Sequence, residues 1–247
     1  MSCRFVFAAF LLSAPATTVY AQQPALRDPA LFHDRVVRVI HQLASRQLPV
    51  GDTLVTWTSQ PVLFHTSAIG TDTARAGLLR GDRMLGTATV TWAIGEPTTF
   101  AVEWTTPGKP TLDIRGVRRG TVLRITGTHD TVLHVPVRRW AVADYGMEAL
   151  LIPLLRELPR NAAQRIAVFR PFGMHWDTLT AMVRPQGATL IAELRDAQHS
   201  RTWMVIGDGQ HLLWLHQQGQ EMERRPLEGT ARYAEYARIR DLLADLR

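Results

Sequence analysis

The sequence predicts an α+β fold: a curved antiparallel β-sheet, or half-barrel, packed against a central helix, with further helices at the N- and C-terminal ends. Three observations carry that prediction. Apolar and polar residues alternate through two long stretches, the signature of strands that bury one face and wet the other. Between these stretches lies one strongly apolar segment, Asp144 to Leu158, in which Met147, Leu150, Leu151, Leu154, Leu155 and Leu158 recur at helical spacing. Strands and helices never alternate in the regular way that builds a parallel, nucleotide-binding sheet.

The opening residues read as an export signal: Arg4 supplies a positive start, Phe5 to Leu12 a short apolar run, and Ala21 a small residue at a cleavage position. The expected division is therefore a signal peptide over 1–21 and a single half-barrel domain over 22–247, exported to the periplasm or secreted. The apolar run falls well short of the roughly 20 residues needed to span a bilayer, so no transmembrane span is expected after signal removal. Cys3 is the sole cysteine, which leaves the expected mature chain without a disulfide, a thiolate metal site or a cysteine nucleophile.

Asp28-Pro29 reads as a cap and first-turn proline, and Phe32, Val36, Val39 and Leu43 then share one face of a helix over 28–48. Short β runs follow over 54–58 and 62–66, and Ala68 to Gly81, small and polar, reads as a loop. From Met84 a meander begins, punctuated by Gly95-Glu96-Pro97, Pro107-Gly108-Lys109-Pro110, Arg119-Gly120 and His129-Asp130. Phe100, Val102 and Trp104 fall on one face there, against Ala101, Glu103 and Thr105 on the other.

Next comes the helix over 144–158. Asp144 is placed to cap it. Pro153 removes one internal bond at a cost of roughly 3 kcal/mol, whereas six large apolar side chains at about 1.5–3 kcal/mol each outweigh that loss, so a kinked helix is expected. Strand patterns resume at Arg165 to Arg170, Met174 to Arg184, Thr189 to Arg195, Thr202 to Ile206 and Gln210 to Gln217, before a terminal helix over 230–246. A sheet of about nine or ten strands accumulates enough twist to curl, and the greasy helix would cover its concave face.

An export signal, a leading amphipathic helix, a Thr/Trp-rich meander and a helix interrupting it together resemble the exported half-barrel proteins related to the LolA/LolB lipoprotein carriers. The tract from Asp144 to Pro159 and the strands ending in RTWMVIGDGQHLLWLHQQGQEMERRPL also look like exported β-proteins of the domain-of-unknown-function type. The resemblance implies a periplasmic location and an apolar concave cavity suited to a hydrophobic small molecule or lipid.

Catalytic signatures are missing. No serine sits on a sharp glycine turn, no glycine-rich loop leads to a lysine, and no HExxH or paired-cysteine spacing occurs, so no cofactor or metal is expected. His175 and Asp177 share a strand face but need further ligands to hold an ion. Acid and base carboxylates brought together only by folding leave no linear trace, and Asp113, Glu148, Asp177 and Glu193 stay open on that count. The 28 basic residues exceed the 22 acidic ones, but the arginines are scattered, with pairs only at Arg118-Arg119, Arg138-Arg139 and Arg224-Arg225. No nucleic-acid partner is expected.

The expected function is thus an exported, non-enzymatic protein that binds a hydrophobic or amphipathic ligand. Its expected lining is Phe100, Val102, Trp104, Trp176, Met182 and Trp203, with Arg170, in phase with Ile166 and Val168, ending the pocket. A hydrolase assembled from scattered His, Asp and Glu is one alternative. An envelope scaffold with an exposed apolar patch is another.

Overall fold

The structure, a computed structural model, describes residues 53–56, residues 63–217 apart from 82, 94, 107, 145 and 199, and residues 220–224. The expected signal peptide and the helices over 28–48 and 230–246 lie outside these residues. Within them the protein is mostly β-sheet with a single short helical segment, and the sheet is one continuous 15-stranded layer.

Two antiparallel meanders build it. The first runs through β1 (Thr53–Thr56), β2 (Leu63–Ile69), β3 (Thr73–Arg80), β4 (Arg83–Ala93), β5 (Glu96–Trp104), β6 (Leu112–Arg119), β7 (Val122–Gly127) and β8 (Thr131–His134). The second starts at the far edge with β9 (Trp140–Val142), which pairs in parallel with β10 (Ala163–Arg170). It then returns through β11 (His175–Gln186), β12 (Thr189–Arg195), β13 (Arg201–Gly207), β14 (His211–Gln217) and β15 (Gln220–Arg224), which closes the seam against β1.

This topology forces the sheet to curl. Strands β8 and β9 are its two opposite edges, yet only residues 135–139 separate them. Laid flat at about 4.8 Å per strand, 15 strands would hold those edges roughly 67 Å apart, whereas a fully extended link of this length reaches about 20 Å. The edges must swing together.

The β9–β10 edge in fact tucks inside the concavity of the first meander. Register places Phe100, Val102 and Ile114 on one face of β5 and β6, and Ala167, Phe169, Trp140 and Trp176 on one face of β9 to β11. These two faces meet: Phe100 lies 5.6 Å from Phe169 and Trp104 lies 4.5 Å from Phe172, ring centre to ring centre. Gly116 makes the contact possible, because a Cβ there would stand 2.0 Å from the Phe100 ring. The opposite face of β10, Ile166 and Val168, is buried as well. Four consecutive buried residues, Ile166 to Phe169, replace the expected alternation because β10 is covered on both sides.

The apolar segment docks on the concave face as expected, though its form differs. A 3-10 turn, Glu148–Leu151, leads into α1, Ile152–Glu157, and Leu150, Ile152 and Leu155 are fully buried. Pro153 stands at the start of α1, where the missing N–H breaks no bond, so the helix begins at the proline instead of kinking through it. The 3-10 turn carries no side-chain cap; the Asp144 carboxylate accepts the Phe172 N–H at 2.7 Å. Arg160 closes the other end, donating to the carbonyls of Leu155 at 3.1 Å and Arg156 at 2.8 Å.

The sheet has more strands than the pattern suggested. One reason is β3, which falls in the segment read as a loop: Ala74 and Ala76 are fully buried, and small side chains let this strand sit close under the helical segment. Among the described residues no helix is long and apolar enough to cross a membrane.

Candidate functional site

The two ends of the helical segment face different surroundings. At its start, Gly146 adopts φ +78°, a left-handed turn that only glycine enters freely, and this turn aims Glu148 inward. Glu148 is only 4 % exposed, and its Oε1 accepts the Gly146 N–H at 3.1 Å. Burial pushes this carboxyl up to about 7. The backbone N–H groups of Glu148 and Gly146 and the charge of Arg170 oppose that rise, and Asp144 adds to it.

Around Glu148 lies a pocket of about 280 Å³ between the helical segment and the concave face of β10 to β14. Leu151, Leu179 and Leu194 line its apolar part, and Asp144, Arg170, His175, Asp177, Arg201 and Gln217 are among its polar groups. Strand parity explains the gathering, since Arg170 in β10 pairs with His175 in β11, and Asp177 and Leu179 follow on the same face. Arg170 Nε donates to Asp177 Oδ2 at 2.8 Å and its Nη1 to the Ala143 carbonyl at 3.1 Å. His175 Nε2 stands 3.2 Å from Asp177 Oδ1. Gln217 adds a buried amide oxygen with no hydrogen-bond partner among the described residues.

Arg170 is the one expected binding residue that reaches this pocket. Phe100 and Val102 are buried where the two faces of the sheet meet. Trp104 packs on Phe172, and Trp176 stands edge-on to Trp140 at 5.4 Å and 5.2 Å from Phe169. Met182 and Trp203 lie on the convex face, each opposite Glu193 in register, with Trp203 in a small cluster beside Val205, Leu213 and Trp214. The expected aromatic lining is thus divided between the core and the outer face.

Glu148 and Asp177, two of the four carboxylates left open by the sequence, do come together. Asp113 pairs instead with exposed Arg115 at 3.2 Å, and buried Glu193 with Arg195 at 2.6 Å. Glu148 had a further local signal: it falls three residues before Leu151 and seven before Leu155, on a buried helical face. Gln217 and Arg201 had none, because their approach depends on strand register. No group of three or more His, Cys, Asp or Glu able to hold a metal ion occurs among the described residues.

The chain matches no protein-family model and no curated protein. Among solved structures it is similar to a DUF1089 family protein from Pseudomonas aeruginosa, with 8 % identity and a TM-score of 0.45 over 61 % of this chain and 87 % of that one.

Proposed function

We propose that this chain is an exported binding protein whose ligand, a small amphipathic molecule, sits between the helical segment and the concave face beside Arg170. The observation that supports this reading is the pocket itself: an apolar floor of three leucines under a rim of guanidinium, carboxylate and an amide oxygen without a partner among the described residues. Its 280 Å³ lies just below the roughly 300–1,000 Å³ typical of ligand sites, which suits a compact ligand better than a long acyl chain. Arg170 is pre-set for an acceptor on the ligand, because Asp177 and the Ala143 carbonyl already fix its plane. Gln217 calls for a donor.

Native mass spectrometry of protein purified from its own envelope tests the proposal. A co-purifying small molecule is expected, and Leu179→Trp, which fills the floor, should abolish its retention. An empty wild-type protein, or undiminished retention in the variant, overturns the reading.

A hydrolase is the second reading, favoured by Glu148 being poised to carry a proton near neutral pH beside the His175–Asp177 pair. Turnover of chromogenic esters or glycosides that Glu148→Gln abolishes would establish it. Equal turnover by the variant would remove it.

A further inference from the structure

The other end of the helical segment opens on a second, larger cleft of about 1180 Å³ that none of the preceding chemistry uses. Leu154 and Leu158, almost wholly buried in the core, edge one side. Val135 and Val137, from the link that joins the two sheet edges, form another. Three arginines, Arg118, Arg138 and Arg139, stand among these apolar groups, against two carboxylates, Glu96 and Glu157.

The arginines are unequally engaged. Arg118 is bound to Glu96 and lies over the Trp140 ring, 5.9 Å from its centre, so its charge is matched and its plane fixed. Arg139 bonds to Gln164, a neutral amide, which leaves its charge uncompensated. Arg138 has a side chain 94 % exposed, and its Nε stands 3.7 Å from Oε1 of the same Glu96. A pair that exposed and that long contributes little. Glu96 thus serves two guanidinium groups, and the local balance is positive.

We infer that this cleft binds a single-chain anionic amphiphile, its hydrocarbon against Leu154, Leu158, Val135 and Val137 and its carboxylate or phosphate head on Arg138 and Arg139. The chemistry selects this class. Apolar walls in a space of this size take a chain, and two under-matched guanidinium groups take an anionic head in preference to a neutral or zwitterionic one. A nucleic acid would need a longer basic track and no hydrocarbon walls. The site is independent of the pocket at Arg170, and each stands or falls separately.

Titration calorimetry of the full chain with dodecanoate and dodecyl phosphate, both below their micellar range, tests it against dodecyl maltoside as a neutral head. Anionic probes should bind about tenfold or more tightly than the maltoside. The Arg138→Gln/Arg139→Gln double variant should erase that preference, and Arg138→Gln alone should reduce it with an unchanged thermal melt. Leu179→Trp, which fills the other pocket, should leave anionic binding intact. Equal affinity for charged and neutral heads, no binding at all, or binding lost in Leu179→Trp but kept in the double variant each overturns the inference. So does binding confined to anionic phosphatidylglycerol vesicles, which would mean a membrane surface and not a chain in the cleft.

Discussion

The two halves of the sheet carry the same alternating pattern and cover it differently. The concave face of the first meander is filled over β5 and β6 by the β9–β10 edge, aromatic ring against aromatic ring, whereas that of the second, together with β2 and β3, is covered by a helical segment rich in leucine. Sheet on sheet is tight at its centre, where Gly116 is already under the Phe100 ring. A short helix on a sheet covers less, and cavities open at both its ends. The two cavities argued above therefore both adjoin the helix-covered region.

The largest effect that would sharpen this contrast is at Phe169, wholly buried between the two faces. Phe169→Ala should cost about 3–5 kcal/mol in denaturant unfolding, since no neighbour in a strand-on-strand contact can collapse into the space. Leu150→Ala, on the helix side, should cost about 2–5 kcal/mol and toward the lower end, because a short helical segment can settle. A larger loss at Leu150 than at Phe169 would reverse the comparison.

Glu148→Gln acts in the opposite direction and depends on pH. The folded value of about 7 lies above the ordinary 4.5, so the folded state holds a proton that the unfolded chain has released. Stability attributable to this group falls as pH rises from 4.5 to 7 and stays low above that. The variant keeps the acceptor for Gly146 and should be more stable at pH 8 by on the order of 3 kcal/mol, with no gain at pH 4. Unfolding at the two pH values checks this.

His65 sharpens the same point. It is buried, with Nδ1 3.3 Å from the Gly146 carbonyl, and burial lowers it from 6.5 to about 4 against that hydrogen bond. Its contribution is present above 6.5 and is lost as pH falls toward 4. Between about 4.5 and 6.5 the unfolded chain holds one proton on His65 and the folded chain one on Glu148, so the two dependences cancel. Wild-type stability from this pair should be flat across that window, and in Glu148→Gln it should rise with pH. The smallest effect belongs at exposed Val132, where Val132→Ser should stay within about 0.5 kcal/mol.

Alternation made the strands legible, and the helical spacing of Leu150, Leu151, Leu154 and Leu155 marked the segment that docks on them. The spiral was not legible. Residues 166–169 read as half-buried because nothing local says that the far side of β10 meets Phe100, and the small residues of β3 looked like a loop because close packing and loop composition favour the same side chains. At the site, Arg170 was visible through its phase with Ile166 and Val168. Glu148 was visible as one polar letter in phase with Leu151 and Leu155, and its partners across the pocket come from strands more than twenty residues away.

The β1–β15 seam has a consequence in time. It pairs Leu54 with Arg224 and Val55 with Glu223, so the layer becomes continuous only when segments near opposite ends of the chain find each other. Each meander can zip locally from its hairpins, but this last junction closes a loop holding most of the protein, and closure over such a separation is slow. Without that junction, β1 and β15 would each present an unpaired backbone edge. The seam is thus the contact of longest sequence separation in the sheet, and the one whose pairing joins its two meanders into a single layer.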